Sequence, residues 1–129
     1  MAIMTTNQFK NLLNRIALQK PDGFTFNPLM NCFPTKGYVV AASETQGCVG
    51  MAGLIKVIKF YLKHIDYCIG GWRNEDGEMQ YDASKVYMNI DDAISAAVEN
   101  GQRAIYNLFT GNVIMASDYY TYSSCVIAA

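Results

Sequence analysis

The sequence predicts an α+β fold, a single compact domain in which an antiparallel sheet built from hairpins packs against about three helices. Three observations carry this. Apolar residues recur at helical spacing in three separate stretches. Between them lie runs rich in aromatic and β-branched residues, bounded by Gly, Pro and Asn. The chain of 129 residues is 51% hydrophobic, enough for one core without disulfide or metal staples.

The first helix opens at Thr5 or Thr6, and Thr5 has Gln8 three residues on, the spacing of a capping box. Phe9, Leu12, Leu13 and Ile16 follow at i, i+3, i+4 and i+7, and Pro21-Asp22-Gly23 stops the helix. Gly23–Phe26 and Gly37–Ala42 read as two strands. The connection between them, residues 27–36, carries Pro28 and Pro34 with the apolar Leu29, Met30 and Phe33, which either cover an end of the core or form an exposed contact. Residues 43–53 are Gly-rich and carry no clear period. From Met51 the pattern is helical: Met51, Leu54, Ile55, Ile58, Tyr61, Leu62 and Ile65 form a stripe, with Lys56, Lys59 and Lys63 on the other side. His64 falls at the helix end, where a cap is the simplest role.

The strongest local signal runs from Ile69 to Met88. It holds the single Trp, Trp72, and the turn Asn74-Glu75-Asp76-Gly77 between two strand-like runs, so it reads as a hairpin. A third helix starts at Asn89 as N-cap, with Asp91 and Asp92 in its positive first turn. Ile90, Ala93, Ile94, Ala97 and Val98 are its stripe, and Gly101 its stop. Ala104–Phe109, the turn Thr110-Gly111-Asn112 and Val113–Met115 read as a last hairpin. The tail 116–129 is uncharged from Tyr119 on. It reads either as an edge strand or as a flexible, adhesive segment that engages a partner by strand addition.

Net charge is −1, which recruits neither nucleic acid nor an anionic membrane. The halves differ: residues 1–64 carry seven Lys/Arg against two Asp/Glu, and residues 65–129 three against nine. Either the halves neutralise each other on folding, or the region Glu75–Glu99 forms an acidic face that steers towards a basic partner. Cys32, Cys48, Cys68 and Cys125 are too scattered for a zinc site and read as reduced, mostly buried thiols. The start Met-Ala-Ile-Met-Thr-Thr-Asn lacks the pattern of a signal peptide, and no apolar run reaches the ~20 residues of a membrane span. A cytoplasmic protein is the expectation.

Several motifs suggest chemistry and do not carry it. Tyr81-Asp-Ala-Ser-Lys85 matches the Tyr-x-x-x-Lys of short-chain dehydrogenases, but on a strand residues i and i+4 lie about 13 Å apart. Gly47, Gly50 and Gly53 have the wrong spacing for a dinucleotide loop, and no βαβ unit precedes them. Asp82 and Ser84 lack a base with a defined role. Glu75, Asp76, Glu78, Asp82, Asp91 and Asp92 fit no EF-hand and read as a solvated acidic rim. The sequence therefore predicts no catalytic residue, no metal site and no cofactor.

Two segments look familiar. One is Gly23-Phe-Thr-Phe-Asn-Pro with Pro34-Thr-Lys-Gly-Tyr-Val-Val-Ala. The other runs from Ile69-Gly-Gly-Trp through Tyr81-Asp-Ala-Ser-Lys-Val and Asp91-Asp-Ala to Asn100-Gly-Gln-Arg-Ala-Ile-Tyr-Asn-Leu. Together, over about residues 23–114, they resemble small, poorly characterised domains of phages, prophages and conjugative elements. The resemblance implies a small protein that binds and inhibits a host defence component, such as a CRISPR or restriction nuclease.

The leading expectation is thus a non-enzymatic binding protein acting on a host protein, in one version a nucleic-acid-binding one. The acidic residues Glu75, Asp76, Glu78, Asp82, Asp91 and Asp92, with Trp72, Tyr81 and Tyr87 as aromatic anchors, are the expected contact surface. Direct binding of nucleic acid is not expected. Two alternatives stand beside it. One is a self-associating accessory domain. The other is a small-ligand protein with a pocket lined by Tyr81, Asp82 and Lys85.

Overall fold

The predicted helix starts form where their caps place them. The computed structural model describes residues 4–122. Helix α1 (Thr6–Gln19) begins on the expected capping box: the Gln8 N–H donates to Thr5 Oγ1 (3.1 Å) and the Thr5 N–H to Gln8 Oε1 (2.9 Å). Helix α2 spans Gly50–Lys63. Helix α3 (Ile90–Glu99) starts on Asn89, whose Oδ1 accepts from the N–H groups of Asp91 and Asp92. The stripe of α2 is turned from the expected one. Leu54, Val57, Ile58 and Tyr61 are buried, while Met51, Leu62 and Ile65 are exposed.

Seven strands form one antiparallel sheet: β1 (Phe24–Phe26), β2 (Tyr38–Ala41), β3 (Cys48–Val49), β4 (Cys68–Arg73), β5 (Met79–Tyr87), β6 (Ala104–Asn107) and β7 (Val113–Met115). Their order is β1-β4-β5-β2-β6-β7, and β3 pairs with β5 beyond the end of β2. The two predicted hairpins, β4–β5 and β6–β7, are present. Strands β1 and β2 are also present, but they lie on opposite sides of the central hairpin, so the connection 27–37 crosses from one side to the other. Its Leu29, Met30 and Phe33 are largely exposed. Phe33 packs its ring on Phe26 (centroids 5.2 Å) and beneath Lys20 Nζ (4.5 Å).

Strand β5 sorts its side chains by alternation. Met79, Tyr81 and Ala83 point into a core shared with Phe9, Leu13, Leu54, Val57 and Ile58 of α1 and α2. Further along the same face, Tyr87 borders a second core of Val40, Ala93, Ile94, Ala97, Ile105 and Ile114 beneath α3. Both cores therefore lie on one face of the sheet. Lys85 marks the seam between them, with Nζ 2.9 Å from Asp66 Oδ2 and 4.8 Å from the Tyr67 ring centroid. Gln80, Asp82, Ser84 and Val86 point the other way.

Between β2 and β3 the chain leaves the ladder for one 3₁₀ turn, Ser43–Thr45. The Ala42 N–H donates to the Ala83 carbonyl (2.8 Å), and the Ala83 N–H donates to Thr45 Oγ1 (3.0 Å). The buried Thr45 side chain thus stands in for a strand at the break.

After β7, residues Ala116–Asp118 form a 3₁₀ turn and Tyr119–Tyr122 a short helix, α4. The expectation of an edge strand from residue 116 is corrected here for residues 116–122. Tyr119 is buried in the second core, and its hydroxyl donates to the Gln102 carbonyl (2.9 Å). The rest of that expected tail, residues 123–129, lies outside the described residues.

Two buried hydroxyls make a test. Thr45→Val keeps the shape and removes the acceptor of the Ala83 N–H, which should cost about 1–3 kcal/mol in urea denaturation. Ser84 Oγ is buried with no hydrogen-bond partner among the described residues. Ser84→Ala should therefore cost nothing measurable or stabilise slightly. Equal losses from the two substitutions would contradict the role given to Thr45.

Candidate functional site

The hairpin β4–β5 builds a site from its glycines outward. Gly70 and Gly71 are consecutive and so face opposite sides of the sheet. A Cβ on Gly71 would lie 2.6 Å from the Phe24 ring, and one on Gly70 would lie 2.7 Å from Asp82 Oδ1. The pair opens room on the core face for an aromatic ring and on the other face for a carboxylate. In register, Gly70 stands opposite Asp82 and Trp72 opposite Gln80. Trp72 is thus the diagonal neighbour of Asp82 on the same face, within reach of a large side chain. It is 46% exposed.

These residues line a depression of about 160 Å³, walled also by Thr45, Gln46 and Gly47 from the break after β2 and by Gln102 from the turn after α3. Asp82 is the one charged side chain in this wall. It has no hydrogen-bond or ionic partner among the described residues. Although its surface is only half-buried, the crowding around it strips away water, and this desolvation pushes the carboxyl up from the ordinary 3.8 to about 6. Gln102 Nε2 donates to the Asn100 carbonyl (3.3 Å), which leaves Gln102 Oε1 as an acceptor.

The hairpin tip projects beyond the depression. Asn74 Oδ1 accepts from the N–H groups of Asp76 and Glu78 (3.0 Å each), and Gly77 takes φ +80°, so the tip is locked by its own side chain. Arg73 braces its base, donating to the carbonyls of Gly77 (2.7 Å) and Pro21 (3.2 Å). Glu75, Asp76 and Glu78 are exposed there.

The structure divides the predicted contact residues. Trp72, Glu75, Asp76, Glu78 and Asp82 gather at one end of the hairpin. Tyr81 does not serve as an anchor: it is 4% exposed, packs in the core under α2, and burial pushes its hydroxyl pKa up. Tyr87 borders the second core, with its hydroxyl likewise pushed up by burial. Asp91 and Asp92 start α3 at the far end of β5, roughly 25 Å from the tip at 3.3 Å per residue. The expected acidic surface from Glu75 to Asp92 is therefore not one patch. The expected pocket of Tyr81, Asp82 and Lys85 is met only in part: Tyr81 and Asp82 both line the depression, whereas Lys85 lies outside its wall, with Nζ on Asp66.

Gln46, Gln80 and Gln102 are the site residues that sequence reasoning missed. Gln80 could have been found from its alternation with Asp82. Gln46 and Gln102 come from loops that only the tertiary fold brings together. The buried thiols are not poised for nucleophilic chemistry, since desolvation raises Cys48 and pushes Cys68 to about 11. Among the described residues no group of three His, Cys, Asp or Glu could hold a metal ion. No described helix is long and apolar enough to cross a membrane. No family model, curated protein or solved structure matches this chain.

The Asp82 shift has a signed consequence. Its folded pKa lies above the ordinary value, so ionisation costs more in the folded state. Stability from this group is full below about 3.8 and is lost as pH rises through about 6. Asp82→Asn should therefore stabilise the protein at neutral pH, by at most about 3 kcal/mol. The gain should vanish below the unfolded pKa, as read from urea midpoints across pH. A gain independent of pH would contradict this.

Proposed function

We propose that this chain is a non-enzymatic binding protein that occupies a basic surface of another protein through the β4–β5 hairpin end. The observation that carries it is the exposed Trp72, set between the acidic tip and the unpaired Asp82 carboxyl. An exposed Trp flanked by uncompensated negative charge suits an interface anchor, since Trp is enriched among residues that dominate binding energy and the charges steer a basic partner. Among the described residues no Ser, Cys, His or Lys lines the depression, and the Thr45 hydroxyl there is held by the Ala42 carbonyl and the Ala83 N–H. The resemblance to mobile-element domains adds the context: a nucleic-acid-binding defence protein of a bacterial host presents such a basic surface, and occupying it would inhibit.

Capture from a bacterial host lysate, read by mass spectrometry, tests this. One dominant protein is expected, lost at high salt because the tip charges are exposed and screened. Reversal of Glu75, Asp76 and Glu78 to Lys should weaken binding at least tenfold, mainly through the association rate. Trp72→Ala should cost about 2 kcal/mol or more. Binding unchanged by both would overturn the reading.

A second reading, self-association, rests on a different surface. On the face opposite α3, Val113, Tyr106, Val39 and Val86 stand in one cross-strand row. Val113 and Tyr106 are 54% and 43% exposed, and Met115 beside them 48%. Strand β7 ends the sheet order without the Lys or Pro that commonly protects an edge. Antiparallel pairing with β7 of a second copy opposes no like charges. Light scattering should then show a dimer that Val113→Lys returns to monomer; a monomer at all concentrations would sink this reading.

A further inference from the structure

We propose that the depression beside Trp72 is a receptor for a single guanidinium group, an arginine side chain of the partner. The inference rests on the binding-protein reading above and names the chemistry of its anchor. Size comes first. At about 160 Å³ the depression falls well below the ~300–1,000 Å³ typical of small-molecule sites, and suits one side-chain head group.

Charge comes second. Among the described residues Asp82 is the one ion in the wall and lacks a partner, and no Lys or Arg lines the depression to receive a phosphate or carboxylate. A buried or half-buried charge is costly until paired, so the fitting ligand is a cation.

Shape separates arginine from lysine. A guanidinium is planar, stacks on an indole face and presents two parallel N–H groups to a carboxylate. Trp72 and Asp82, diagonal neighbours on one sheet face, offer those two elements together. The remaining guanidinium N–H groups need acceptors, and Gln46, Gln80 and Gln102, which line the same depression, each carry a side-chain carbonyl oxygen. A lysine ammonium would leave much of this set unused. The desolvated state of Asp82 agrees with a carboxylate kept ready for a counter-ion.

Trp72 is the single Trp of the chain, so intrinsic Trp fluorescence reports on the depression itself. The test is a titration of the whole protein with N-acetyl-argininamide, its lysine counterpart, and the neutral citrulline isostere. The arginine probe should give a saturable change with a dissociation constant on the order of millimolar, the scale for about fifteen non-hydrogen atoms. The lysine probe should bind several-fold more weakly and the citrulline probe should not saturate. Asp82→Asn should weaken the arginine probe at least tenfold while leaving far-UV circular dichroism unchanged. No saturation with arginine, an equal response to citrulline, or an unchanged response in Asp82→Asn would overturn the proposal. Saturable binding of nucleosides at lower concentration would overturn it in favour of a small-molecule site. Failure here with intact lysate capture removes the receptor alone. Success here with no captured protein removes the protein partner and leaves a free guanidino compound as the ligand.

Discussion

Strand β5 is the constraint on which the rest of the structure depends. Each of its nine residues is paired on at least one side, Met79–Ser84 to β4 along one edge, and Gln80–Tyr81 to β3 and Ser84–Tyr87 to β2 along the other. A strand held this way cannot slip by one residue without exchanging its two faces. Met79, Tyr81 and Ala83 are thereby committed to the α1–α2 core, and Tyr87 to the border of the α3 core. The Thr45 hydroxyl completes the hydrogen bonding at the one point where the second edge is broken.

The same commitment fixes the opposite face. Gln80 and Asp82 must emerge there, and glycine at Gly70 is what allows the Asp82 carboxylate to lie against β4. An apolar residue at position 82 would pack there without electrostatic penalty. A charge without a partner is instead held in a site that raises the cost of its ionisation. Departures of this kind from local consistency are expected at functional sites. The acidic tip and Trp72 stand at the same end of the hairpin, which makes that end chemically distinct from the rest of the surface.

Much of this was legible in the sequence. The capping box and the Asn cap are local chemistry, so the starts of α1 and α3 follow from Thr5, Gln8 and Asn89. The hairpin follows from Asn74 and Gly77. The alternation of Met79, Tyr81 and Ala83 with Gln80, Asp82 and Ser84 also held the information that Tyr81 is internal, although its aromatic ring suits a surface anchor equally well. Strand order was not legible, because β1–β4 and β2–β5 pair across tens of residues and no local signal specifies the partner. For the same reason Trp72, Asp82 and the acidic tip could be read as candidates, while Gln46 and Gln102 could not. The distance between the tip and Asp91–Asp92 likewise depends on β5 running unbroken through nine residues.

The claim on which this account turns is that Asp82 sits desolvated and unpaired beside Trp72. Titrating its side-chain carboxyl carbon by NMR, against Asp82→Asn for assignment, tests it in the isolated protein. The account predicts a midpoint near 6. A midpoint at or below the ordinary 3.8 would show a solvated or already paired carboxylate, and the site would lose its basis.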